Sequence, residues 1–168
     1  SKINLPFIKK IFIKGSGVDL HHFNYCPKNY NKKNITFTFI SRLLIDKGIN
    51  EFINASNLIK KNYSSEENII FYIIGSPDIN NPKTININIL KKWNNKKDKI
   101  FFNFQSKIKH YIELSDVIVL PSYREGMPKI LLEASSIGRP IITTDVPGCR
   151  ECVTDKYNGL IIKEKSAD

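Results

Sequence analysis

Short apolar runs alternate with amphipathic stretches along nearly the whole chain, and this alternation restricts the fold more than any other property. Phe7–Ile13, Thr36–Ile40, Ile69–Ile74, Lys99–Phe104, Val117–Leu120, Pro140–Thr143 and Gly159–Ile162 read as strands. Helical spacing falls between them, over Gly48–Tyr63, near Ile89–Trp93, over Ile108–Leu114 and over Pro128–Ile137. In the first of these, Ile49, Phe52, Ile53, Ser56 and Ile59 share one stripe. Such β-α repetition predicts an α/β fold, a Rossmann-like parallel sheet with helices on both faces. Residues 77–88, with Asn80, Asn81, Pro82 and Asn86, read as an exposed loop. A length of 168 residues fits one domain, 1–168, with no internal repeat or linker.

Composition removes several function classes. No run of 18 apolar residues suggests a membrane-spanning helix, and residues 1–15 lack a signal-peptide core. Three cysteines cannot close a disulfide framework, which favours a reducing compartment. Cys149 and Cys152 have C-x-x-C spacing, but no second pair and no strand-to-helix context for redox chemistry. His21, His22 and His110 have no metal-ligand spacing, and no D-x-D pair offers a carboxylate site, so no metal is expected. The net charge of +10 suits anionic partners such as nucleotides, diphosphates or an acidic lipid surface. Much of that charge is diffuse, as in Lys91-Lys92 and Lys96-Lys97, and is ordinary solvated surface. An aromatic-basic nucleic-acid signature is missing, so nucleic acid is not an expected partner.

The stretch from Tyr123 to Glu133 is the richest in chemistry. The apolar run Ile118-Val119-Leu120 reads as a buried parallel strand, which puts Glu125 at a strand's carboxyl end, where open α/β sheets bind ligands. Pro128 suits the first position of a helix that Gly138 and Pro140 stop. Glu133 then lies about 7.5 Å along the axis from Pro128, in an apolar setting that is unusual for an unpaired charge. One ligand with two polar regions could touch both carboxylates. On spacing alone Glu133 is as readily an ordinary helix-face residue, and a glycoside hydrolase pair is another use of two carboxylates.

Three other loops follow strands. Gly15 and Gly17, in Lys14-Gly15-Ser16-Gly17-Val18-Asp19, permit close backbone approach beside a phosphate or at a hinge, although a plain turn explains them equally. Arg42 and Lys47 flank a strand-to-helix loop and would clamp a diphosphate, although surface charge is the commoner use of such residues. Gly75-Ser76-Pro77-Asp78 is a further candidate ligand loop, although simple turn punctuation is its commoner use.

Taken in order, these motifs resemble the carboxy-terminal, donor-binding domain of a family 4 retaining glycosyltransferase, one half of a GT-B fold. The similarity runs through Gly15–Asp19, Ser41-Arg42 with Lys47-Gly48, the strand ending at Gly75, Ser115-Asp116-Val117 to Ser122, the paired glutamates, Gly138-Arg139-Pro140, Thr144–Gly148 and Asn158-Gly159. Leu120–Glu151 is especially similar to bacterial transferases that build surface polysaccharides or lipid-linked oligosaccharides.

The resemblance implies that Arg42 and Lys47 hold the donor diphosphate and stabilise the leaving group, in place of a metal or other cofactor. Glu133 binds ribose hydroxyls, Glu125 lies beside the donor sugar, and Gly15, Gly17, Gly126, Met127, Pro128 and Lys129 complete the donor site. The implied substrate is a UDP-sugar supplying a hexose or N-acetylhexosamine. The implied acceptor is a glycan or lipid-linked glycan, bound by an amino-terminal domain absent from this chain. Ser1 opens on a strand and Asp168 follows one, so the chain is expected to be an excised half, inactive alone, without a closing helix. A cytoplasmic location follows, with peripheral contact to acidic membrane. Asn103 stands where relatives usually carry Gly, and Lys107 where an acidic residue is common, in the loop that usually meets the base. The competing expectations are a sugar-nucleotide epimerase and a non-catalytic nucleotide- or membrane-binding module.

Overall fold

The computed structural model describes residues 15–28, 34–63, 68–94 and 97–167. The strand expected over Phe7–Ile13 lies outside the described residues. Six strands form one sheet: β1 (Ile35–Ile40), β2 (Ile69–Ile74), β3 (Lys99–Phe102), β4 (Val117–Leu120), β5 (Ile141–Thr144) and β6 (Gly159–Ile162). All neighbours pair in parallel, in the order β3-β2-β1-β4-β5-β6. The chain first builds outward from β1 and then returns to its other side at β4. Connections from β1 and β4 therefore diverge, leaving a crevice between their carboxyl ends, the topological switch point of such sheets.

Helices α1 (Ile49–Asn62), α2 (Ile87–Trp93), α3 (Ile108–Leu114), α4 (Lys129–Ile137) and α5 (Pro147–Arg150) flank the sheet. The α1 stripe is as the sequence predicts, with Ile49, Phe52, Ile53 and Ser56 buried. Ser56 tolerates burial because its hydroxyl donates to the Ile53 carbonyl at 2.7 Å and accepts from Trp93 Nε1–H at 3.1 Å. Phe39, Ile73, Ile118, Leu120, Leu131 and Ile141 fill the interior around the central strands.

Three details differ from expectation. Pro128 precedes α4 instead of opening it: its φ of −73° suits a helix, but its ψ of 115° is extended, and the helix starts at Lys129. Residues 77–88 are not simply an exposed loop. Leu44 and Thr84 form an antiparallel bridge, Ile85 N–H donates to the Leu43 carbonyl at 3.0 Å, and the Ile85 side chain is buried. The single turn of α5 was not anticipated, since four residues are too few to show a helical period.

The end of α3 shows how the polar interior is satisfied. Arg139 follows Gly138, whose φ of 87° ends α4, and is only 3% exposed. Its Nε and NH2 donate to the carbonyls of Ile112 and Glu113 at 3.2 and 3.0 Å, and its NH1 to Cys26 at 2.8 Å. Lys28 Nζ donates to the Leu114 carbonyl at 2.6 Å and pairs with Asp116 at 3.1 Å. Two cations thus occupy the negative end of α3 and meet its last carbonyls, of which that of Ile112 also accepts from the capping Ser115 N–H at 3.1 Å. Replacing Arg139 with Ala should destabilise the fold by roughly 3 kcal/mol, because several buried acceptors lose charged donors together. Denaturant unfolding followed by fluorescence of the single tryptophan, Trp93, checks this; a loss below about 1 kcal/mol would contradict it.

Candidate functional site

The crevice between β1 and β4 is where the charged side chains gather. β1 ends at Ile40 and leads into Ser41-Arg42, then into a single 3-10 turn, Ile45–Lys47, before α1. β4 ends at Leu120 and leads into the Glu125 loop. The two connections are joined at one carbonyl: Asp46 O accepts from Ser122 Oγ at 3.0 Å and from Tyr123 N–H at 2.9 Å. Gly48 has a φ of 76°, and a Cβ there would overlap the Pro121 carbonyl. Only glycine allows both the left-handed turn and this close approach. Tyr123 adds a hydrogen bond from its hydroxyl to Glu51 of α1. Burial, together with Glu51, pushes the phenol far above its usual value, so it stays protonated and able to donate.

This joint brings together residues 78 positions apart. Lys47 Nζ lies 2.6 Å from Glu125 Oε1, with side chains 16% and 12% exposed. At that distance and burial, each charge supplies the partner the other needs. From below, Gly148 of α5 packs so closely under Gly126 that a Cβ would overlap the Gly126 carbonyl, and the Thr144 hydroxyl donates to the Ser122 carbonyl. Arg42 is more exposed, and its NH1 lies 3.3 Å from Asp78 Oδ2.

Glu133 stands on the first turns of α4, half-buried and without a hydrogen bond or ion pair among the described residues. Burial pushes its carboxyl above the ordinary 4.5, against the opposing pull of Lys129 and His22.

A hollow of about 290 Å³ unites Arg42, Lys47, Glu125, Pro128, Lys129 and Glu133, with Ile40 and Leu120 at its base. A second hollow of about 350 Å³ shares Ile40, Ser41, Arg42 and Ile108, and extends to Gly75, Ser76, Phe104 and Gln105. Together they have room for a ligand of nucleotide size with more than one polar region. The remaining sequence-selected residues, Gly15, Gly17, Gly126 and Met127, are outside the lining of these hollows. Gly15 packs on the Met127 side chain, Gly126 is backed by Gly148, and Gly17 is exposed with open space where a Cβ would be.

Asp78 lies in a loop that the sequence offers as a candidate but that reads mainly as punctuation, and nothing local marks its distant partner Arg42. The C-x-x-C pair sits on and after α5. Burial pushes both thiols up, Cys152 to about 11, which disfavours the thiolate form of either side chain. Among the described residues no group of His, Cys, Asp and Glu could hold a metal ion.

The sequence profile of the family "Glycosyl transferases group 1" matches residues 26–168. The chain belongs to this family. A curated relative of these glycosyl transferases, the Campylobacter jejuni N,N'-diacetylbacillosaminyl-diphospho-undecaprenol alpha-1,3-N-acetylgalactosaminyltransferase, is 31% identical over 165 residues, covering 98% of this chain and 40% of the relative. The Escherichia coli UDP-Gal:alpha-D-GlcNAc-diphosphoundecaprenol alpha-1,3-galactosyltransferase is 29% identical over 168 residues, covering 95% and 43%. In the solved structures, Anabaena HepE in complex with UDP and glucose superposes with a TM-score of 0.74 at 18% identity, covering 90% of this chain and 42% of that one. The parallel sheet and its helices are thus one half of the GT-B architecture, and the chain spans about two fifths of the length of the curated relatives.

The raised Glu133 pKa carries a sign. The folded state holds this proton more tightly than the unfolded state does, so the contribution is favourable below the ordinary 4.5 and is lost as pH rises through the folded value. Glu133→Gln should therefore raise the thermal midpoint at pH 7, with the gap over wild type closing below about pH 4.5. Parallel melts of the two proteins at pH 4 and pH 7 test this; a lower midpoint for the variant at pH 7 refutes it.

Proposed function

We propose that this glycosyl transferase chain binds a UDP-sugar and serves retaining transfer of a hexose or N-acetylhexosamine to a growing polysaccharide or lipid-linked glycan. The observation that carries the reading is the convergence of Arg42, Lys47, Glu125 and Glu133 on one hollow at the switch point. The names of the Campylobacter and Escherichia relatives, both transferases of diphospho-undecaprenol-linked sugars, support the acceptor class. UDP bound in the Anabaena neighbour supports the donor class.

In this reading Arg42 and Lys47 meet the diphosphate and stabilise the charge that grows on the leaving UDP. Fixed cations do this without reorganisation during the reaction, and they take the work a divalent ion would otherwise perform. Donor binding draws Lys47 toward phosphate and leaves the Glu125 carboxylate for sugar hydroxyls. Glu133, unpaired and half-buried, accepts hydrogen bonds from the ribose hydroxyls, which would lower the cost of its burial. Glu125 positions the sugar and is not a covalent nucleophile; a donor phosphate oxygen helps to deprotonate the acceptor hydroxyl on the same face. The acceptor is met by a separate domain, so the chain alone binds donor without transferring sugar. The enzyme acts in the cytoplasm, peripheral to the membrane that holds lipid-linked acceptors. Among the described residues no helix is long and apolar enough to cross a membrane.

Calorimetric titration with UDP, GDP, ADP and CMP, with and without EDTA, is the test. Saturable UDP binding unaffected by EDTA is expected, with Arg42→Ala and Glu133→Ala each weakening it roughly tenfold or more. Undiminished affinity in both variants would sink the assignment, and a requirement for metal would overturn the role given to the two cations.

A further inference from the structure

We propose that Asp78 is a positioning residue of the donor site: it holds the Arg42 guanidinium at the mouth of the cleft, with its other N–H groups free for the donor diphosphate. The inference rests on the donor-binding reading above. Arg42 has a side chain 63% exposed, and left alone so mobile a group would be ordered only on binding. Its NH1 is engaged by Asp78 Oδ2 at 3.3 Å. A guanidinium has five N–H donors in a rigid fork, so one held nitrogen leaves the others available. Arg42 also lines both hollows, where an ordered cation faces any ligand that spans them.

Asp78 is itself firmly placed. Its carbonyl accepts from Asn81 N–H at 2.9 Å and from the Thr84 hydroxyl. The segment 76–85 is bonded to the backbone that carries both donor cations. Leu43 N–H donates to Ser76 O at 3.1 Å, Ile45 N–H to Lys83 O at 2.8 Å, and Ile85 N–H to Leu43 O at 3.0 Å. Lys83 Nζ lies 3.2 Å from Asp46 Oδ2, next to Lys47. The buried Ile85 side chain anchors the far end. The Asp78 carboxylate makes no other hydrogen bond or ion pair among the described residues, so its one visible engagement is with Arg42.

The pair is exposed to water, so its effect is modest, about three- to fivefold in affinity. Titration of the chain with UDP tests it in four forms: wild type, Asp78→Asn, Arg42→Ala and the double variant, with Asp78→Glu as the conservative control. Asp78→Asn should weaken UDP binding about three- to fivefold, with Asp78→Glu recovering part of the loss and the Trp93 unfolding midpoint unchanged. In the Arg42→Ala background the same substitution should have no further effect, which a merely structural role would not produce. Equal or tighter binding by Asp78→Asn overturns the proposal, as does an undiminished loss in the Arg42→Ala background. If Arg42→Ala weakens UDP binding and Asp78→Asn does not, this inference alone fails. Absence of saturable UDP binding by the wild-type chain overturns the donor-binding reading as well.

Discussion

A single backbone oxygen, the carbonyl of Asp46, joins the two halves of the sheet at the place where chemistry gathers. It accepts from Ser122 and Tyr123, while Gly48 lets the start of α1 press against Pro121. The connections leaving β1 and β4 diverge, as in any sheet whose strand order reverses, and this contact bridges them. With it, an ammonium and a carboxylate meet at 2.6 Å in a largely buried position. Neither charge would tolerate that burial alone, so the joint and the ion pair support one another. Tyr123, Thr144 and Gly148 reinforce the same loop from the side and from below.

Not every residue in a recurrent motif faces the ligand cleft. Gly138-Arg139-Pro140 ends α4, and its arginine is spent on backbone carbonyls of α3 and of the segment at Cys26. Asp116 accepts from Thr36 N–H at 2.8 Å and pairs with Lys28, so it ties the start of β4 to the start of β1. These residues act away from the charged hollow by fixing the strands whose far ends form it. A mutation there would lower the population of folded protein before it altered any ligand contact.

The sheet was largely legible because its strands are short, mostly apolar runs regularly separated by helix-period segments. β2 reads Ile-Ile-Phe-Tyr-Ile-Ile, which fits a strand covered on both sides. The site was legible to the extent that a strand's carboxyl end can be found in sequence: that reasoning located Arg42, Lys47, Glu125 and Glu133, which the fold brings together. Pairing was not legible. Lys47 meets Glu125 across 78 positions and Arg42 meets Asp78 across 36, and no local pattern encodes either partnership. The attachment of residues 76–85 was hidden for a related reason: Asn, Pro and Lys mark a loop, while the hydrogen bonds that hold it use backbone groups that nearly every residue carries.

The burial of Lys47 and Glu125 as a pair sets a condition on any group that separates them. A bare anion that captures Lys47 strips Glu125 of its counter-charge in a half-dry pocket and brings nothing to replace it. A molecule carrying phosphate at one end and hydroxyls at the other can satisfy both groups at once. A guest that engages one member of the pair alone therefore leaves the other charge half-buried and unpartnered, which disfavours that arrangement.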